Sequence, residues 1–128
     1  MAKDAMKNSY APYSNYNVGA ALLCKNGSLY NGCNIENASY SLTNCAERTA
    51  LFSAIANGEK EFEAICIVGG KNSEITDYAI PCGACRQVLA EFCDADFKIY
   101  VGINENDIRE YKLSELIPYS FNKSKLGE

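Results

Sequence analysis

"EAICIVGG", residues 63–70, decides how this chain folds. Ala64 to Val68 is an unbroken apolar run bounded by Gly69-Gly70. Such a run is too short for a buried helix of usual length and reads as a strand inside a sheet. Downstream, a polar loop over 71–80 leads to Pro81, and a helix follows over roughly 83–94. There Cys85, Val88, Leu89 and Phe92 recur at helical spacing. "FKIYVGI" (97–103) supplies the next strand, a short fifth follows near 108–112, and "LSEL" (113–116) suggests a helical turn.

Upstream, residues 45–56 form a second helix. Ala46, Ala50, Leu51, Ala54 and Ile55 make its apolar stripe, and Asn57-Gly58 stops it. "VGAALLC" (18–24) and "SLYNGCNI" (28–35) flank Asn26-Gly27, a strong hairpin signal. A first helix is expected over residues 2–11, ended by Pro12. The order hairpin, helix, strand, helix, strand predicts an α/β fold, three-layer α/β/α with a central mixed sheet of about five strands. Sites in such sheets lie beyond strand carboxyl ends, where both helix starts can meet.

The 128 residues suit one domain, 1–128, with a single core. The net charge is −4 and the lysines are scattered, which argues against a nucleic-acid partner. No apolar run reaches the length of a membrane span, so no membrane partner is expected. "MAKDAMKNSYAPYS" has no signal-peptide core, and a cytoplasmic location is expected.

Seven cysteines is a high count for this setting. Metal binding or catalysis then explains them better than disulfides do. Cys24, Cys66 and Cys93 sit in apolar runs and read as small buried hydrophobes; Cys33 reads as part of a strand. Cys82 and Cys85 in "PCGACRQ" (81–87) and Cys45 in "NCAERTALF" (44–52) all fall at helix starts, which favour thiolates. Three thiolates make three legs of a tetrahedral zinc site with water as the fourth. A redox pair at Cys82 and Cys85 needs no Cys45, and a structural zinc needs a fourth donor, for which only Cys33 offers itself. Taken alone, Glu47 reads as the third helical residue of a capping box begun by Asn44, and Arg48 as a solvated charge.

"CAE" followed by "PCGAC" matches the zinc-deaminase pattern, which is recognised here and not deduced from spacing. With no histidine in the chain, it matches the variant with three cysteine ligands. "YAPYSNYNVGAALLCKNGSLYNGCNIENASY", "NCAERTALFSAI", "IPCGACRQVLAEF" and "LSELIPYSF" resemble the small cytidine deaminases of pyrimidine salvage, from about Tyr10 to Phe121. Blasticidin-type deaminases come nearest among the others, and "GCNIENASY" separates this chain from them.

The resemblance implies a cytidine deaminase-like fold and one zinc per chain, on Cys45, Cys82 and Cys85. It implies hydrolytic deamination of cytidine and 2′-deoxycytidine to uridine and 2′-deoxyuridine, with release of ammonia. By the same resemblance zinc-bound hydroxide is expected to attack carbon 4 of the base, with Glu47 as the catalytic proton shuttle. Arg48 is expected, on that resemblance, to donate hydrogen bonds to ligand thiolates and offset their charge. Asn34 and Glu36 are assigned to the sugar, the Ala46 backbone to the amide edge of the base, and Tyr16 to stacking in place of the usual phenylalanine. Phe121 is expected to reach a base in a neighbouring subunit, in a homotetramer with shared active sites.

Overall fold

The computed structural model describes residues 1–123. Its elements are α1 (Ala2–Met6), β1 (Tyr16–Cys24), β2 (Leu29–Cys33), α2 (Ala46–Ala56), β3 (Phe62–Lys71), α3 (Gly83–Phe92), β4 (Lys98–Asn104), β5 (Asp107–Lys112) and α4 (Leu113–Leu116), with a short 3-10 turn at Tyr40–Leu42. The five strands form one mixed sheet in the order β2-β1-β3-β4-β5. β3 and β4 are parallel and the other neighbours antiparallel. Among the described residues no helix is long and apolar enough to cross a membrane.

The hairpin closes as its sequence predicts. Gly27 adopts φ +91°, its N–H bonds to the Cys24 carbonyl, and Asn26 Oδ1 accepts from the Ser28 N–H. Side chains of one sheet face then line up across strands. Leu22 lies opposite Ile65, which lies opposite Ile99; Ala20, Ile67 and Val101 make the next row. All six are essentially without solvent contact. This face packs under α2 and α3. At 25 cal/mol/Å², such side chains each contribute roughly 1.5–3 kcal/mol to the core.

Two glycines fix the layers. A Cβ on Gly32 would sit 2.4 Å from both the Ala46 carbonyl oxygen and the Ala50 nitrogen, so β2 and α2 touch backbone to backbone. A Cβ on Gly19 would sit 2.0 Å from the Ala2 carbonyl oxygen, so α1 lies equally close on the opposite face. The result is the three-layer α/β/α arrangement.

Several expectations change. α1 ends at Met6, not near residue 11. Tyr10 leaves the helix because its backbone bridges the end of the hairpin: its N–H bonds to the Asn34 carbonyl, and its carbonyl accepts from the Glu36 N–H. The 63–70 run is also less symmetric than its composition. Ile65 and Ile67 are buried, whereas Ala64, Cys66 and Val68 on the α1 side are half-buried, since a five-residue helix covers little of that face. Cys24 is buried as expected, but Cys66 and Cys93 are only partly so. Phe92 is exposed, so it leaves the buried face that Cys85 and Leu89 share.

Candidate metal centre and cavity

Cys45 and Cys82 occupy equivalent positions. Each is the residue at the N-terminal boundary of a helix, with extended backbone (φ −78°, ψ 156° and φ −67°, ψ 169°). Neither helix has a side-chain cap there. The first-turn N–H groups of each helix lie at the end where the helix dipole favours negative charge, and the thiols stand at that end. Cys85, in the first turn of α3, is fully buried and completes the group.

The three Sγ atoms all lie within 4.8 Å of one another. Sulfurs bound to one zinc at about 2.3 Å lie roughly 4 Å apart, so this trio fits the ion with small side-chain adjustments. Cys33 is not part of the group. Arg48 is not a solvated charge: its Nη2 donates to Cys45 Sγ at 3.1 Å. Its Nε is the one buried side-chain polar atom without a partner among the described residues. A cation half in the interior, aimed at thiols, is the arrangement an anionic sulfur cluster requires. The protonation pattern agrees. A hydrogen bond from Cys85, with Arg48 beside it, pushes the Cys45 thiol well down; the same bond, with burial, pushes Cys85 up.

Glu47 departs from the capping-box expectation. The helix boundary falls at Cys45, one residue later than Asn44, so Glu47 is the second helical residue. Its side chain does not cap; it is only 5% exposed. Burial, above all, pushes its carboxyl up, with a smaller push from Cys45.

A cavity of about 450 Å³ opens over this centre. Its lining includes two groups: Cys45, Ala46, Glu47 and Cys82 at the two helix starts, termed the floor, and Tyr16, Asn34 and Glu36 at and beyond the hairpin strand ends, termed the wall. Its volume is in the range of small-molecule sites. Asn34 is buried and mostly committed: Oδ1 accepts from the Val18 N–H at 3.0 Å and from the Ser9 hydroxyl, and Nδ2 donates to the Tyr16 carbonyl at 2.7 Å. One Nδ2 hydrogen remains. Glu36 accepts from the Tyr13 N–H, the Ser14 N–H and the Ser14 hydroxyl. The Ser14 hydroxyl bond, foremost, holds its carboxyl below the usual range.

Cys85 and Arg48 sit behind the floor and do not line the cavity. Phe121 does not line it either; the residue is 59% exposed, and its carbonyl accepts from Gln87 Nε2 at 2.7 Å. The structure adds Ser14, Tyr78, Ala79 and Ile80 to the lining. Tyr78 donates its hydroxyl to Asp107, and the Arg109 guanidinium lies 4.0 Å from its ring centroid. Tyr78, Ala79 and Ile80 belong to the polar loop before Pro81, where the sequence carries no periodic pattern.

A family profile described as "Cytidine and deoxycytidylate deaminase zinc-binding region" matches residues 1–101. A cytidine deaminase of Halalkalibacterium halodurans is 50% identical over 127 residues, covering 99% of this chain and 93% of the relative. One of Sporosarcina psychrophila is 46% identical over 126 residues, covering 98% and 90%. A crystal structure of cytidine deaminase from Burkholderia pseudomallei superposes with a TM-score of 0.85 at 48% identity, covering 94% of this chain and 93% of that one.

Proposed function

This chain belongs to the cytidine and deoxycytidylate deaminase family of zinc-binding enzymes, and on that premise we propose that it hydrolyses cytidine and 2′-deoxycytidine to uridine and 2′-deoxyuridine, releasing ammonia. The observation that carries the proposal is one cavity floor holding a buried carboxyl, Glu47, beside converged thiols. Cys45, Cys82 and Cys85 hold one zinc per chain. When bound, zinc supplies a water that loses its proton near neutral pH, against about 15.7 in bulk.

The chain's own residues do the rest. Glu47 takes up a proton at a carboxylate oxygen as water oxygen adds to carbon 4. It delivers that proton to ring nitrogen 3, then takes the remaining proton from the carbon-4 hydroxyl and passes it to the amino group, which leaves as ammonia as the carbon-4 carbonyl forms. Its burial keeps the carried proton from exchanging with bulk water. Arg48 holds Cys45 Sγ and draws negative charge from it. The Ala46 backbone meets the amide edge of the base, and Tyr16 stacks at the cavity wall.

The sugar contact follows from unused hydrogen-bonding capacity. Asn34 has a donor left and Glu36, with three donors on its two oxygens, has acceptor capacity left. A donor next to an acceptor satisfies one hydroxyl from both sides, which suits a ribose or deoxyribose carbon. The proposed assembly is a homotetramer in the cytoplasm, acting in pyrimidine salvage, with 1–128 as one domain and Phe121 offered to a neighbouring copy's site. Exposed apolar side chains at Tyr40, Leu42 and Phe121 support such contacts.

The test is metal analysis joined to an ultraviolet assay of cytidine loss, on wild type and Glu47→Gln. About one zinc in both, with uridine from wild type only, is the expected result. Zinc in both with no turnover of either nucleoside by wild type overturns the substrate; no zinc in either overturns the centre.

A further inference from the structure

The two helix starts are held in place differently, and one residue accounts for the second. α2 is fixed by the core: Ala46 and Ala50 have no solvent contact and lie against Gly32. Cys82 itself is exposed, between buried Pro81 and buried Cys85, and it follows a loop of which residues 71–78 are mostly exposed. Yet both carbonyls flanking the Cys82 backbone turn are taken, and by a single residue. The Arg86 backbone N–H bonds to the Cys82 carbonyl at 3.0 Å, while Arg86 Nε donates to the Pro81 carbonyl at 2.8 Å. The far end of the guanidinium is pinned as well, since Nη1 donates to the Leu116 carbonyl at the end of α4 at 2.9 Å.

Arg86 is also oddly placed for a structural cation. It lies in the first turn of α3, where the helix dipole disfavours positive charge. Among the described residues it has no carboxylate partner. What holds its guanidinium in place is the pair of backbone carbonyls at Pro81 and Leu116.

We infer that Arg86 is a positioning residue for the metal centre: it straps the Pro81–Cys82 backbone to α4 and so sets where the Cys82 sulfur stands relative to Cys45 and Cys85. The inference rests on the proposed role of Cys82 as a ligand. Arg86 touches neither the sulfur nor the cavity, so it acts through the backbone alone. Lysine at this position keeps the charge and loses the planar fork that reaches two carbonyls at once.

The experiment measures zinc release to a chromogenic chelator from wild type, Arg86→Lys, Arg86→Gln and Val88→Ala, with the sulfur-to-metal charge-transfer band of the cobalt-substituted proteins as second readout. Val88 is on the same helix, packs partly against the core and takes no part in the strap's hydrogen bonds. The expected result is zinc release faster by about 10–100-fold in Arg86→Gln. Arg86→Lys, the milder change in case the other does not fold, shows a smaller acceleration and a shifted cobalt band. Val88→Ala lowers the melting temperature and leaves both metal readouts at wild-type values. Wild-type zinc release and an unshifted band in Arg86→Lys or Arg86→Gln overturn the inference while the proposed function stands. Absence of zinc from wild type overturns both.

Discussion

The floor and the wall of the cavity are built by different forces. The floor carries Ala46, with no solvent contact, and Glu47, which is nearly as buried. Its geometry comes from apolar packing and from the backbone contact of α2 with Gly32. The wall carries Glu36, aimed by hydrogen bonds from the Tyr13–Ser14 segment, itself turned at Asn15 with φ +59°. Water competes for those bonds and does not compete for the packing. The lesson is a division of labour. On the proposed mechanism, proton transfer, which needs tight positioning, falls to the packed side. Sugar recognition, which tolerates small movements, would fall to the hydrogen-bonded side.

This division predicts that floor substitutions change kcat or metal content and wall substitutions change KM. The largest effect is expected for Glu47→Gln: kcat falls about 10²–10⁴-fold with zinc content and KM near wild type. Steady-state kinetics with metal analysis checks it, and near-wild-type kcat breaks the division at its strongest point. Gly32→Val comes next. Its side chain must displace backbone atoms of α2 that lie at 2.4 Å, so stability falls by about 3 kcal/mol in a denaturant titration of the zinc-loaded protein. A smaller loss shows that the floor is held by something besides this contact.

Arg48→Gln sharpens the comparison within the floor. It removes the charge beside Cys45 Sγ, and zinc affinity is expected to fall about tenfold, read by competition with a chelator. The smallest effect is expected on the wall. Ser14→Ala deletes one of the three donors to Glu36 and raises KM for cytidine by a few-fold, with kcat unchanged. Its pH signature has a definite sign. The Glu36 carboxyl is held below its ordinary value of 4.5 in the fold, so its stabilising contribution is present above that pH and is lost as acid brings the pH through the folded value. In Ser14→Ala the folded value moves up towards 4.5, the contribution shrinks, and the acid limb of the melting-temperature profile flattens.

Features set by neighbours in sequence were legible. The Asn26-Gly27 turn, the Asn57-Gly58 stop and the strand at 63–70 each rest on local conformational preference, and each appears where expected. The α1 boundary was not, because Tyr10 is drawn off the helix by a bridge to residues 34–36. The identity of the thiol trio was legible from a recognised pattern, and the structure brings those three sulfurs together. The setting of Glu47 was less so: the same four letters fit a capping box, and only burial separates the two roles. Tyr78, Ala79 and Ile80 carried no periodic signal, since a loop wall is chosen by where the chain happens to pass. The half-burial of Cys66 escaped composition because it depends on how short the covering helix is.

The helix starts that meet at the centre are separated by a whole strand, and Cys82 follows Cys45 by 37 residues. On the ribosome, at roughly 5–20 residues per second, Cys45 is therefore made seconds before its partners. No fragment ending before residue 82 contains two of the three sulfurs, although Cys24, Cys33 and Cys66 are already present as separate thiols. β3 must be laid beside β1, and α3 must follow, before the sulfurs converge. Metal capture is thus timed to the end of synthesis, and a truncated chain lacking α3 has no centre with which to sequester zinc.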